Sequence, residues 1–275
     1  MNRFVVGGIP YPEALHNPTI DLMARHVSVR EFDPDRPVPE GLVPVLFAAA
    51  QSAPTSSNLQ SWSVIAVTIP ERRRALAELV GQEFLGQAPL FLVFCADIFR
   101  LLHVVKRRDY PYKSGDVNLL LVATNDAAIA CQNAALAAEA LGLGCCMIGN
   151  VRNRPREISD LLGLPRGVFA AIGLSVGWPT RKNDVKPRLP MSVVLHHERY
   201  STEHLEAGIE TYDKQMEATD VYRGRRAQVP GVTPPPDLDT APYGWVEHVA
   251  RRMAASSQDR KDFGAFLRDK GFAGG

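Results

Sequence analysis

Short apolar stretches recur along the first two thirds of the chain, separated by polar turns. Four of them are rich in β-branched or continuous apolar residues and are typical of strands: 62–68, 90–97, 145–150 and 168–179. The stretch 90–97 (LFLVFCAD) is almost unbroken in its apolarity, which predicts a strand buried on both faces. The pattern therefore predicts a central sheet with helices on each side.

Longer segments between these stretches have helical patterns. The segment 115–141 contains only three charged residues and is filled by Ala, Leu and Val, which predicts a buried central helix. Thr19 stands at a predicted N-cap, and its helix is expected to run to about His26. Further helices are predicted at 42–51, with Pro44 in the first turn, at 71–82 and at 156–165.

The last third is polar and rich in loops. It predicts a helix over about 202–221, a proline-rich linker at 229–242, and terminal helices through Trp245 and Phe266. These segments carry few apolar residues for their length, so we expect them to wrap a partner surface, most economically a second copy of the chain. The expected assembly is an α+β homodimer.

Charge and hydropathy exclude several classes of function. The chain has 31 basic and 30 acidic residues and a formal net charge of +1, so no general attraction to nucleic acid or an anionic membrane is expected. The longest uninterrupted apolar run, 90–96, is far shorter than the roughly 20 residues of a membrane span. The N-terminus also lacks the regions of an export signal, which predicts a soluble cytoplasmic protein.

The four cysteines point to neither a metal site nor a disulfide scaffold. They form no CxxC pair and have no histidine nearby at metal-ligand spacing. We expect them to be small buried apolar residues: Cys95, Cys131, Cys145 and Cys146.

Two segments carry polar groups suited to an anionic ligand. In 25–30 (RHVSVR), His26 and Arg30 would share a face if the helix persisted, and the planar fork of Arg30 can hold a phosphate. The loop 53–58 (APTSSN) offers hydroxyls and backbone N–H groups to phosphate or polyol oxygens. Ordinary connectors contain the same residue types, so neither segment decides the function alone.

Two later segments add to this set. In 147–153 (MIGNVRN) a buried strand ends at Gly149, where a backbone without a side chain can approach a flat ligand. The nearby glycines lack the GxGxxG spacing, so a different nucleotide-like ligand is favoured over a dinucleotide in a Rossmann site. In 186–190 (KPRLP) two prolines hold two cations in a rigid geometry that suits a phosphate.

Taken together, these segments resemble the nitroreductase superfamily, and within it the NADPH-dependent flavin oxidoreductases, the group of oxygen-insensitive nitroreductases and FMN reductases. The resemblance spans most of the chain. It is carried by RHVSVR, AAAQSAPTSSNLQSW, VGQ, FLVFCAD, NAALAAEALGLGCCMIGNVRN, LLGLPRGVFAAIGLSVGWP and KPRLP.

The resemblance implies a homodimeric α+β fold with a mostly antiparallel central sheet flanked by helices. It implies one FMN in each of two sites at the subunit interface, and C-terminal segments that wrap the partner subunit. Residues 18–275 would form the FMN-binding domain, with 1–17 as an N-terminal extension. An excursion at 200–243 would carry the NADPH loop.

The resemblance also implies which residues meet the cofactor. The segment 25–30 and the cations of KPRLP would hold the phosphate and the ribityl chain. The loop 53–58 and a glutamine would line the ring edge or the ribityl chain. The end of the strand at 145–150 would lie near flavin N5. These residues are His26, Ser28, Arg30, Thr55, Ser56, Ser57, Gln82, Ile148, Gly149, Asn150, Lys186 and Arg188. Arg223 is the match for the arginine at the NADPH 2′-phosphate, with Arg225 and Arg226 as substitutes.

The sequence departs from the family pattern in several places, and Pro54 in the loop 53–58 is one of them. Asn150 stands where a second glycine is usual, and Tyr222 stands before Arg223 where threonine is usual.

The implied activity is a two-stage, ping-pong transfer of hydride from NADPH to FMN and then to a nitroaromatic, quinone or flavin acceptor. The flavin carries the chemistry, so no catalytic side chain and no metal are expected. Lys186 or Arg188 would stabilise the anionic reduced flavin near N1. Three alternatives stay open: an FMN enzyme of the superfamily with another specific substrate, a non-catalytic FMN-binding protein, and an α+β dimer without cofactor.

Overall fold

The computed structural model describes residues 2–112, 115–222, 228–229, 231 and 243–273, with only the backbone at 256–259. Contacts between Cα atoms divide the chain into two compact units. Unit 1 comprises Met1–Val27 and Asp184–Asp259, and unit 2 comprises Ser28–Asn183 and Arg260–Gly275.

Unit 2 is built on a four-stranded sheet. Its strands are β1 (Trp62–Val67), β2 (Leu90–Asp97), β3 (Gly144–Ile148) and β4 (Val168–Gly177), in the spatial order β1-β2-β4-β3. Every neighbouring pair is antiparallel. The predicted α+β class and the four predicted strands are confirmed.

All eight residues of β2 are buried, and they alternate between two hydrophobic cores. Leu92 and Phe94 face the core on one side of the sheet, and Phe91 and Val93 face the core on the other. The alternation follows from the two-residue period of a strand. The prediction of a strand covered on both faces is therefore correct.

The first face of the sheet is covered by the long helix α7 (Val117–Ala140), on which α3 (Leu42–Gln51) packs. The side chain of Asp116 caps α7 by accepting from the N–H of Asn118 at 2.8 Å. Small alanines on its buried side allow close approach to the strands. Length and composition alone would let α7 cross a membrane, but the core helix of a globular protein meets the same test, and α7 packs on the sheet.

The remaining helices of unit 2 complete the two cores. They are α4 (Pro70–Val80), α5 (Phe84–Gln87), α6 (Phe99–Arg107), α8 (Pro155–Leu162) and α12 (Phe263–Lys270), with 3₁₀ turns at Ser56–Asn58 and Gly149–Arg152. Residues of α4, α5 and α8 line the second core. The ring of Phe272, after α12, meets that of Phe169 edge-on at 4.9 Å, which fixes the end of the chain on the first core.

Unit 1 contains α1 (Arg3–Gly7), α2 (Pro18–Ala24), α9 (Met191–Val194), α10 (Leu205–Ala218) and α11 (Trp245–Asp259), with a 3₁₀ turn at Glu13–Leu15. Helix α10 packs against both α9 and α11. Tyr212 of α10 meets Trp245 of α11 in an edge-to-face contact with 5.3 Å between ring centroids.

Three details differ from the sequence prediction. Helix α2 is capped by Asn17, whose side chain accepts from the N–H of Thr19 at 2.9 Å, because Pro18 occupies the first helical position. The same helix ends at Ala24, so His26 and Arg30 do not share a helix face. Helix α6 was not predicted, because its apolar residues are spread among cations and none of them is fully buried.

Candidate functional site

The loop 53–61, here called the serine loop, is held in place by hydrogen bonds to one buried carboxylate. Asp126 of α7 is only 3% exposed. Its Oδ2 accepts from the hydroxyl of Thr55 at 2.6 Å, and from the N–H and hydroxyl of Ser61 at 3.0 and 2.8 Å. Its Oδ1 accepts from the N–H of Ser56 at 3.3 Å. Both ends of the loop are thereby fixed to the central helix.

The backbone between those ends is strained. Ser57, Asn58 and Gln60 have φ angles of 49°, 55° and 51°, in the left-handed region that favours glycine. The side chains of Ser56 and Ser57 are exposed, and their hydroxyls bond no other described residue. The loop therefore offers serine hydroxyls outward while its own backbone bonds point to the protein.

Arg100 of α6 forms hydrogen bonds at the C-terminal end of the serine loop. Its Nη2 donates to the carbonyls of Gln60 at 2.7 Å and Trp62 at 2.8 Å. Its Nη1 lies 3.3 Å from Oδ2 of Asp97, a buried carboxylate that also accepts from the N–H of Phe99 at 3.0 Å. Sequence reasoning missed Arg100, Asp97 and Asp126.

A cavity of about 1030 Å³ opens beside the serine loop in unit 2. It lies between α3, the serine loop, β1 and α6, and its lining includes Phe47, Leu59, Gln60, Trp62 and Leu101. Aromatic and aliphatic walls with a few polar groups are typical of sites for small organic ligands.

A second predicted segment follows β3. The strand ends at the buried Ile148, and Gly149 and Asn150 begin the 3₁₀ turn. The side-chain amide of Asn150 donates to the carbonyl of Val80 at 3.3 Å. Val80 ends α4 and stands two residues before Gln82, so the structure brings the predicted Asn150 and Gln82 segments together.

Gln82 itself has an unsatisfied group. Its side-chain oxygen Oε1 is buried and has no hydrogen-bond donor among the residues that the structure describes. Buried acceptors are normally paired, so an orphaned one in a predicted ligand site indicates a donor supplied by the ligand.

Arg152, the last residue of the 3₁₀ turn, connects this turn to strand β4. The register of β2 and β4 shifts between Phe94 and Cys95, which leaves Ala171 as the extra residue of a bulge. The guanidinium of Arg152 donates to the carbonyl of Ala171. Burial, and then the charge of Arg260, lower the pKa of Arg152. A Cβ at Gly149 would lie 3.3 Å from Nη2 of Arg152, so this guanidinium would have to shift to admit a side chain.

The second half of the first predicted segment lies along β3. Ser28 forms a parallel bridge with Cys145, and the N–H of Val29 donates to the carbonyl of Cys145 at 2.9 Å. Because the bridge is parallel, the chain runs from Ser28 towards Arg30 in the same direction as β3 runs towards Ile148. Ser28 and Arg30 therefore belong to a segment that runs beside β3, the strand that leads to the Gly149 turn.

The KPRLP cations belong to unit 1. Lys186 and Arg188 line a cavity of about 260 Å³ together with Tyr212, Tyr222 and Trp245. Arg3 of the N-terminal extension donates to the carbonyl of Lys186. Burial raises the pKa of Tyr212, and the positive charges of Arg188 and Arg3 oppose that rise. Two cations thus stand beside aromatic walls, a combination suited to an aromatic anion.

The predicted site residues divide between the two units. Unit 2 holds Ser28, Arg30, Thr55, Ser56, Ser57, Gln82, Ile148, Gly149 and Asn150, and unit 1 holds His26, Lys186 and Arg188. Arg223 and Arg225, together with Arg226, lie outside the described residues. Of the unit 2 residues, contacts join Asn150 to the Gln82 segment and Ser28 to β3.

Comparison with known proteins places this architecture in a family. The model of the nitroreductase family matches residues 23–86 and 77–178, and that of the nitroreductase family C-terminal domain matches residues 186–274. The chain belongs to the nitroreductase family. The resemblance noted from the sequence is confirmed.

Individual relatives are similar over most of the chain. An oxygen-insensitive NADPH nitroreductase of Salmonella typhimurium is 35% identical over 94% of this chain and 99% of its own. A Cr(VI) reductase of a Pseudomonas species is 41% identical over 72% of this chain and 82% of its own. The structure of NADPH:FMN oxidoreductase from Vibrio harveyi, in complex with NAD⁺, has a TM-score of 0.77 and 32% identity, covering 93% of this chain and 98% of that one.

The residues present fit FMN. The flavin ring has an N–H that can donate to the orphaned oxygen of Gln82, and its other edge atoms can accept from the serine hydroxyls. A phosphate of about −1.5 to −2 charge requires cations, and unit 2 contributes Arg30 to the predicted set.

Proposed function

We propose that this protein is an FMN-dependent oxidoreductase that uses NADPH to reduce nitroaromatic, quinone or flavin acceptors. The proposal rests on the buried oxygen of Gln82, which meets no donor in the part of the chain that the structure describes and lies near the turn that Asn150 fixes. The relatives named as an NADPH nitroreductase and an NADPH:FMN oxidoreductase support the same activity.

When bound, FMN supplies the hydride chemistry. The chain's part is to bind and orient. NADPH and the acceptor would use the same cavity in turn, which gives a ping-pong order. The apolar and aromatic walls of the cavity of about 1030 Å³ suit planar acceptors that stack.

We propose the following roles for the site residues. Phosphate and ribityl oxygens are held by His26, Ser28, Arg30, Lys186 and Arg188. The ring edge is met by Thr55, Ser56, Ser57 and Gln82, and the ring face near N5 by Ile148, Gly149 and Asn150.

Two further groups of residues have proposed roles. Arg223, with Arg225 beside it, would recognise the 2′-phosphate of NADPH. Lys186 or Arg188 would stabilise negative charge on the reduced ring near N1. Because the cofactor carries the reaction, no side chain is assigned as an acid or base.

The organisation proposed for the whole chain is a cytoplasmic homodimer. Residues 18–275 form the FMN-binding domain, 1–17 extend it, and 200–243 carry the NADPH loop. Exposed apolar side chains on the packed pair α3 and α7 support a partner surface: Val45, Phe47, Leu121 and Ile129. The proposed partner is a second copy of the chain, and the other substrates are small molecules.

One experiment tests the activity directly. The purified protein, supplied with FMN and desalted, should show flavin absorbance that bleaches on anaerobic addition of NADPH and returns on addition of a quinone. Flavin that binds but does not bleach would contradict the reductase activity and favour a different flavin reaction or a non-catalytic FMN-binding protein. Failure to retain any FMN would contradict the cofactor assignment.

A further inference from the structure

We infer that Asp126 is a positioning residue for flavin binding: its carboxylate locks the serine loop into the conformation that presents Ser56 and Ser57 outward. This inference rests on the proposed function, because it takes the ligand of the serine loop to be FMN. Asp126 belongs to no motif that identified the site, and it lies about 70 positions from the loop in sequence.

Both oxygens of Asp126 are required as acceptors. Oδ1 accepts from the backbone N–H of Ser56, and Oδ2 accepts from the backbone N–H of Ser61. Oδ2 also accepts the hydroxyls of Thr55 and Ser61. A backbone N–H cannot reverse its role, so each of these two oxygens meets a donor that only an acceptor can satisfy.

An asparagine would not replace the aspartate, although it has the same shape. In either orientation of its amide, one backbone N–H would face the –NH₂ group, donor against donor. The site is buried, so the lost bond would not be replaced cheaply by water. The geometry therefore distinguishes a carboxylate from an amide at this position.

The strained part of the loop depends on the same carboxylate. The N–H of Gln60 donates to the hydroxyl oxygen of Thr55 at 2.8 Å, and that hydroxyl donates to Asp126. This relay connects Gln60, one of the three residues of the serine loop with positive φ, to α7. Strained backbone persists only when its surroundings hold it, and here the holding contacts converge on Asp126 and Arg100.

The part of α7 that carries Asp126 is packed rigidly in the core. On α7, Asp126 is surrounded in sequence by the fully buried Ala123, Ala127 and Ala130, which pack into the core beside β1 and β2. The carboxylate is thus fixed relative to the sheet. The serine loop takes its position from the core of unit 2 rather than from its own short-range contacts.

The experiment compares Asp126→Asn with a matched control, Asp116→Asn, an aspartate-to-asparagine change at the exposed start of the same helix. Hydrogen exchange of residues 53–62 is measured in the FMN-free protein. FMN affinity is measured by fluorescence titration, and KM and kcat are measured with NADPH and a quinone. Melting temperature and circular dichroism report whether each variant is folded.

We expect Asp126→Asn to exchange the amides of Ser56 and Ser61 about tenfold faster and to raise the Kd for FMN about tenfold, as loss of one buried hydrogen bond implies. The absorbance bands of the bound flavin should shift. Ser61→Ala keeps both backbone bonds and should change less. Asp116→Asn should match the wild type in exchange and in affinity.

Two results would overturn the inference: unchanged exchange at 53–62 in Asp126→Asn, or faster exchange with unchanged FMN affinity and flavin spectrum. If Asp126→Asn does not fold, Thr55→Val tests the same relay in the FMN-free protein by removing one donor to the carboxylate. It should speed the exchange of the Gln60 amide, and normal exchange there would overturn the inference. Titration of the wild type separates the two claims, since a wild type that binds no FMN contradicts the proposed function itself.

Discussion

The side-chain amide of Asn150 donates a hydrogen bond of 3.3 Å to the carbonyl of Val80, the last residue of α4. The terminal carbonyls of a helix lack partners within the helix, so this bond satisfies one of them. It also couples the turn after β3 to the segment that carries Gln82. The side chain of Asn150 thus has a structural role in the turn.

Replacing Asn150 with alanine should loosen this coupling. We expect the free energy of unfolding to fall by about 1 kcal/mol, because a partly buried hydrogen bond is lost, and the melting temperature to fall by about 2–4 °C. FMN affinity should fall as well. Thermal melts and FMN titrations check this against Asn118→Ala on exposed α7 surface. An Asn150 variant that behaves like that control would contradict the assigned role.

Removing both KPRLP cations should release the cofactor. The double variant Lys186→Ala/Arg188→Ala should lose FMN on dialysis, because the phosphate loses two charge-assisted contacts. The control is Lys106→Ala/Arg107→Ala, which removes the same two charge types from exposed positions on α6. Flavin content is read from absorbance after dialysis. Full retention in the Lys186/Arg188 variant would exclude the phosphate role.

Arg223→Ala tests the assignment of the 2′-phosphate. The KM for NADPH should rise about tenfold, as expected for loss of a charge-assisted contact, while the KM for NADH stays nearly constant. NADH lacks the 2′-phosphate and therefore serves as the control within one variant. Equal changes with both cosubstrates would mean that Arg223 does not read the phosphate.

The apolar surface of α3 and α7 predicts the effect of a charge at Leu121. This side chain is 56% exposed, so Leu121→Glu costs little within one subunit. In a dimer it would bury an unpaired charge and drive dissociation. Light scattering during size-exclusion chromatography should report a dimer for the wild type and a monomer for the variant. Ile69→Glu, at an exposed position before α4, should remain dimeric.

The buried cysteines predict a loss of stability at alkaline pH. Burial raises the pKa of the Cys131 thiol to about 12, whereas the pKa of an unfolded thiol is about 8.5. The folded state therefore disfavours the thiolate. The associated stability is fully present below about pH 8.5 and is lost progressively as pH rises towards 12.

Denaturation at pH 8 and pH 10 measures this effect. The wild type should lose about 2 kcal/mol more than Cys131→Ala between the two values, because the variant has no thiol to titrate at this position. Equal losses in the two proteins would show that Cys131 does not contribute to the pH dependence.

Much of the fold could be predicted because the local signals agree with the tertiary environment. The helix at Leu42–Gln51 and the strand at Leu90–Asp97 have the bounds expected from their patterns. Helix α6 escaped prediction because a tertiary contact helps to stabilise it: its Arg100 donates to the carbonyl of Gln60 in the serine loop. Gln60 lies 40 positions from Arg100 and leaves no periodic signal in the helix.

The fold class, the buried central strand and the family follow from the sequence, because hydrophobic period and short motifs are local properties. Three contacts follow only from the folded arrangement: Asp126 holds the serine loop, Asn150 meets Val80, and Arg152 bonds the bulge at Ala171. Each of these bonds joins residues 19 to 70 positions apart. A single polar residue has many acceptable partners in a chain, and only the packing of helices on the sheet selects one.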